Sequence, residues 1–269
     1  MQRVYNFSAG PATLPLSVLE RAQKELVCYD DWGMSVLEIS HRDARYVKIL
    51  EKAQQCLARL LNLPDDYDIL FLQGGSRLQF SMVPMNLLTD APAQYLLTGS
   101  WGRNAFGEAR RVGKAEVVWD GEADGFVRVP GEDEWELPPD SSYLHITSNE
   151  TIQGVQFAEF PNTGEVPLVC DASSDFLSRP IPVERFGLIY ACAQKNAGPA
   201  GVTVVVLRRD LLERCRDELP GYLNYANHAK ANSLWNTPCT FGIYVVGLVA
   251  EWLEESIGGL AEMERLNRE

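Results

Sequence analysis

The sequence predicts an α/β fold: a mostly parallel mixed sheet with helices on both faces. Three observations carry that expectation. Short apolar runs rich in Val and Ile, as at 166–170 and 187–192, are cut by Gly and Pro and read as buried strands. From residue 68 onward such runs alternate with stretches of helical period, the order of a sheet wound with crossover helices. No repeat or low-complexity segment breaks the pattern, and 269 residues suit one large domain with at most a small appendage.

In chain order, residues 1–14 hold Gly10 and Pro11 and form an irregular arm. Pro15 suits the first turn of a helix whose Val18, Leu19, Ala22 and Leu26 share one face. Residues 31–45 read as a loop that carries His41 and Arg42. Tyr46, Ile49, Leu50, Ala53, Leu57, Leu60 and Leu61 then repeat at helical spacing until Pro64 stops them. Strands are expected at 68–72, 95–98, 116–119, 143–147, 166–170, 187–192 and 202–207, with helices ending near Leu88 and Val112. Residues 120–141, acidic and rich in Gly and Pro, predict a surface excursion. A long apolar helix is expected at 240–256, anchored by Phe241 and Trp252. Leu260, Met263 and Leu266 line one face of a last helix with no evident surface to cover it. The expected organisation is therefore an arm at 1–14, a large domain at 15–256, and at 257–269 the start of a connection to a further domain.

Bulk composition narrows the function. A net charge of −13, from 24 basic and 37 acidic residues, argues against a nucleic-acid partner, so an anionic substrate would need local arginines. Six cysteines without a CxxC pair suit reduced thiols, and three histidines without ligand spacing argue against a metal. The apolar stretch at 241–253 is too short to cross a bilayer, and the first residues lack a secretory pattern. A cytoplasmic protein with no membrane partner is the expectation.

The chemistry centres on residues 166–201. Ligands of such sheets sit at the carboxyl ends of strands, which places Asp171 and Lys195 on one rim with room for a cofactor between them. A lysine inside AQKNAGPAG suits a Schiff base, which needs a partly desolvated, nucleophilic amine. A carboxylate at Asp171 suits a protonated pyridine nitrogen, although a turn cap ahead of Ser173 and Ser174 would use the same residue. GGSR at 74–77 fits a strand-to-helix turn whose N–H groups suit a phosphate, and equally a turn with no ligand. Trp101, flanked by Gly99 and Gly102, suits stacking on a flat cofactor or a place in the core. Neither GxxxxGK[ST] nor GxGxxG is present.

Over nearly its whole length the chain resembles the phosphoserine aminotransferases, fold-type I enzymes dependent on pyridoxal 5'-phosphate. The likeness runs through NFSAGPATLP from Asn6, EISHR to Arg42, LFLQGGSRLQF from Leu70 and SNET from Ser148. It continues in CDASSDFLSRP from Cys170, AQKNAGPAG from Ala193 and WNTPCTF from Trp235. The resemblance implies that Lys195 is the Schiff-base lysine and proton carrier and that Asp171 pairs with the pyridine nitrogen. Trp101 would stack on the ring and Thr151 would bond its hydroxyl. Ser76, Arg77 and Gln194 would hold the cofactor phosphate, joined by Asn236 and Thr237 from the second subunit of a homodimer. His41, Arg42 and Arg77 would form a cationic pocket for the substrate's phosphate or carboxylate.

The implied reaction is amino transfer between O-phospho-L-serine and 2-oxoglutarate, giving 3-phosphohydroxypyruvate and L-glutamate in serine biosynthesis. It extends to 4-phosphohydroxy-L-threonine in pyridoxine biosynthesis. Three departures stand out: Ala9 replaces a second serine, Ser76 replaces a more usual glycine, and the family's small C-terminal domain has no counterpart here. Two alternatives follow. One is a dimer that binds cofactor without turnover. The other is a lyase or desulfurase of the same fold, against which Gln194 rather than histidine precedes Lys195.

Overall fold

The computed structural model describes residues 3–269. Seven strands form one sheet: β1 (Tyr67–Leu72), β2 (Ala93–Leu97), β3 (Ala115–Asp120), β4 (Leu144–Thr147), β5 (Leu168–Asp171), β6 (Leu188–Cys192) and β7 (Thr203–Arg208). Their order across the sheet is β1-β7-β6-β5-β4-β2-β3. All neighbours are parallel except β7, which runs against both β1 and β6. The carboxyl ends of β1 and β6 therefore meet the amino end of β7 at one rim.

Alternation along each strand splits the core into two layers. Ile69 and Phe71 of β1 face one layer, and Leu70 and Leu72 face the other. The first layer is closed by α1 (Leu16–Glu25), α2 (Ala44–Leu60) and α6 (Thr240–Trp252). The second is closed by α3 (Gly75–Leu87), α4 (Ser100–Val112) and α5 (Tyr225–Lys230). Both faces are covered, which is why the strands read as continuous apolar runs.

Four departures from the expected elements have clear causes. Helix α6 ends at Trp252 and continues as a π-type turn, Leu253–Ile257, because the N–H groups of Gly258 and Gly259 both bond the Leu253 carbonyl, at 3.1 and 2.8 Å. The following helix α7 (Leu260–Arg268) does find a surface: Leu260 is buried and Met263 packs on the first core layer, while Leu266 stays exposed. Residues 120–141 are not purely an excursion, since Val129, Trp135 and Leu137 pack against that same layer. Short helix α5 has no counterpart in the sequence reading. The Asn224 side chain caps it by accepting from Ala226 N and Asn227 N, and it buries Tyr225 and His228.

All six cysteines are unpaired thiols, with Cys56, Cys170 and Cys192 buried. Among the described residues no helix is long and apolar enough to cross a membrane.

Candidate active site

A cavity of about 260 Å³ opens at the rim where β1, β4, β5 and β6 end. Its walls include Gly74, Gly75, Ser76 and Arg77 after β1, Trp101 on α4, Thr147 and Thr151 around β4, Asp171 and Ser173 after β5, and Gln194 and Lys195 after β6. Seven residues singled out from the sequence thus meet in one place.

Asp171 is the last residue of β5 and is 4 % exposed. Its Oδ1 accepts from Ser173 N at 3.0 Å and from Ser173 Oγ at 2.5 Å. Asp171 therefore both caps a turn and faces the cavity. Burial pushes its carboxyl up to about 6, against the pull of the Ser173 hydroxyl and amide and of Lys195; Asp175 adds to the rise.

Lys195 sits in the link between β6 and β7, which is closed by Ala193 N donating to Val202 O at 2.9 Å. The N-terminal arm lies against this link, with Ala12 N donating to Gln194 O at 2.9 Å. The lysine Nζ donates to Thr151 Oγ1 and lies 5.4 Å from the centroid of the Trp101 indole. The Arg77 guanidinium also lies 5.4 Å from that ring, so two cations meet one aromatic face system.

The turn after β1 presents a helix N-terminus to the cavity. Gly74 caps α3 in the left-handed region, at φ 91°, where a side chain would also meet Leu78 at 2.5 Å. The first N–H groups of α3 are left without helical partners, and Gly75, Ser76 and Arg77 at its start line the cavity.

The family description "Aminotransferase class-V" matches residues 4–269. Phosphoserine aminotransferase of Geobacillus kaustophilus is 56 % identical over 270 residues, spanning 100 % of this chain and 74 % of that protein. The solved phosphoserine aminotransferase from Bacillus circulans subsp. alkalophilus superposes with a TM-score of 0.96 at 50 % identity, covering 99 % of this chain and 74 % of that one. A PLP-bound phosphoserine aminotransferase from Trichomonas vaginalis gives a TM-score of 0.93 at 44 % identity, over 98 % and 79 % of the two chains. The chain belongs to the phosphoserine aminotransferase family.

Four residues that the family resemblance assigned to the site lie outside the cavity of this single chain. Asn236 Nδ2 donates to Gln73 Oε1 at 3.1 Å, which leaves Asn236 and Thr237 beside β1 rather than on the cavity wall. His41 and Arg42 sit in the turn before α2, where Arg42 is exposed and the buried His41 Nε2 has no partner among the described residues. Within one chain, neither joins Arg77 in a single cationic pocket.

The sequence reading missed Glu150 as a site residue. This fully buried carboxylate accepts from Trp101 N at 2.9 Å and from Gly102 N at 2.8 Å, capping α4. Only glycine fits at position 99, because a Cβ there would stand 2.6 Å from the Glu150 side chain. Burial pushes the Glu150 carboxyl up; the two amides pull it down, Asp171 pushes it further up, and Lys195 pulls it down. Glu150→Gln leaves one acceptor for two amide donors, and is expected to lower stability by about 1–3 kcal/mol. Urea denaturation measures that loss; an unchanged midpoint would remove Glu150 from this role.

Proposed function

We propose that this chain transfers an amino group between O-phospho-L-serine and 2-oxoglutarate, using pyridoxal 5'-phosphate, as a step of serine biosynthesis. The observation that carries this reading is the placement of Asp171 and Lys195 on one cavity wall system with Trp101 and the α3 N-terminus. The residues present fit the cofactor. Trp101 Nε1 and Thr147 Oγ1 are buried in the lining and lack partners among the described residues, leaving polar groups for a bound molecule. The cavity wall offers the α3 N-terminus and Arg77, as a phosphate requires, and the Asp171 carboxylate, as a pyridinium requires.

When bound, the cofactor supplies an aldehyde that accepts an amino group and a ring that takes up electrons. The protein's own groups do the rest. Asp171, pushed towards neutrality by burial, regains its charge beside a protonated ring nitrogen and holds that proton in place. Lys195 Nζ, steadied by Thr151 Oγ1, is the amine placed to hold and move a proton at the substrate Cα. The Trp101 indole covers one wall and keeps water from it.

In this reading the chain works as a homodimer. Asn236 and Thr237, off their own cavity, donate to the cofactor phosphate of a second copy, and His41 and Arg42 join Arg77 in the same way to hold the substrate anion. Six unpaired thiols suit work in the reducing cytoplasm.

Glutamate release from O-phospho-L-serine and 2-oxoglutarate, followed in a coupled assay, tests the reading, with 4-phosphohydroxy-L-threonine as a second donor. Turnover with phosphoserine is the expected result. Formation of a borohydride-fixed cofactor adduct without any glutamate turnover would refute the assigned reaction while keeping the cofactor site.

A further inference from the structure

Three oxygen atoms form an unbroken file from the turn after β1 to the Asp171 carboxyl. Ser76 Oγ stands 2.5 Å from Ser173 Oγ, which stands 2.5 Å from Asp171 Oδ1. The direction of donation along this file is not free. An ionised carboxylate only accepts, so Ser173 must give its single proton to Asp171. Ser173 Oγ also accepts from Cys192 N at 3.2 Å, and its remaining lone pair can only be met by the Ser76 hydroxyl. Ser76 therefore commits its proton to Ser173 and has only lone pairs left for any other neighbour. Lone pairs facing a phosphate oxygen repel it.

We propose that Ser76 and Ser173 form one hydroxyl relay that positions the Asp171 carboxylate, and that Ser76 meets the cofactor phosphate through its backbone N–H alone. This rests on the cofactor assignment above, and it gives the Ser76 side chain a different partner from the one its place in the turn suggests. The charges facing Asp171 explain the need. Burial opposes the ionised carboxyl most, Lys195 on the link after β6 favours it, and Asp175 on the segment after β5 opposes it; Glu150, on the turn after β4, is in turn pushed up by Asp171. Tyr190 of β6 lies beside it, and Arg77 lines the same cavity from α3. With two acids set against one ammonium, a second hydroxyl that polarises the first strengthens the bond holding the charge.

The test compares two ligands on the cofactor-stripped 269-residue chain by calorimetry: inorganic phosphate, and 4'-deoxypyridoxine 5'-phosphate, which keeps ring nitrogen and phosphate but lacks the aldehyde. Ser76→Ala is expected to leave phosphate affinity within about twofold while weakening the ring ligand about three- to tenfold. Ser173→Ala should weaken the ring ligand by about tenfold or more. Both hydroxyls favour the ionised carboxyl, so removing either raises the Asp171 pKa and moves the acid-side loss of ring-ligand binding to higher pH. Equal weakening of both ligands by Ser76→Ala would mean that the hydroxyl touches the phosphate, and overturns the relay. So would an acid limb that neither variant moves. If Ser173→Ala does not fold, Ser76→Ala decides alone. Wild-type protein that binds neither ligand removes the cofactor assignment, and the relay with it.

Discussion

Lys195→Ala is expected to lower transamination by at least about 10⁴-fold, because in the proposed reaction one residue supplies both the attached amine and the proton carrier. The change should not disturb the fold. The Nζ makes one side-chain hydrogen bond, to Thr151, and the link that carries it is held by backbone bonds from Ala193 to Val202 and from Ala12 to Gln194. Thermal stability of the cofactor-free variant should therefore stay within about 1 kcal/mol of wild type. Borohydride treatment of the loaded wild type should add the reduced cofactor to the peptide containing Lys195, and the variant should show no such mass. Appreciable turnover by the variant, or an adduct on another lysine, would end this assignment.

Asp171→Asn separates activity from stability. Activity is expected to fall about 10²–10³-fold, the scale for losing one charged group aimed at the reacting system. Stability of the cofactor-free chain moves the other way. The folded-state pKa is raised from 3.8 to about 6, so Asp171 favours folding fully below pH 3.8 and loses that contribution as pH rises through about 6. The difference across that window is on the order of 3 kcal/mol. At pH above about 7 the asparagine variant, which carries no buried charge, should melt higher than wild type, and the gap should close on acidification. Calorimetric melting of both proteins across this range checks the sign. A variant less stable than wild type at neutral pH would mean that the raised pKa is wrong.

The strands were readable because burial on both faces makes them continuous apolar runs, and each of the seven lies within about two residues of its expected span. The direction of β7 also leaves a trace in the sequence. The ten residues at 193–202 are fewer than a parallel crossover needs, which points to an antiparallel neighbour. Asp171 and Lys195 could be found because each stands where such a run breaks off. Glu150 could not, since an acid in the polar SNET run looks solvated until α4, some fifty residues earlier in the chain, lays two amides on it. Ser173 was visible only as the partner of a cap; its contact with Ser76 depends on two strand ends separated by two intervening strands. The six-residue α5 is shorter than any window in which helical period can be counted. His41, Arg42, Asn236 and Thr237 entered through family resemblance alone, and single-chain geometry keeps them from the cavity.

The place of β1 in the sheet has a consequence for how the protein is made. First of the seven strands in chain order, β1 sits at an edge of their sheet and, among the described residues, pairs only with β7, the last of the seven. Its register partners, Tyr67 with Arg208 and Leu72 with Thr203, lie more than a hundred residues apart, a long loop to close against chain entropy. Until β7 emerges, β1 is an orphan segment whose apolar side chains are open to chaperones or to wrong partners. The turn from Gly74 to Arg77 hangs from the end of β1 and forms part of the cavity wall, so a nascent chain gains this pocket only when the sheet is closed.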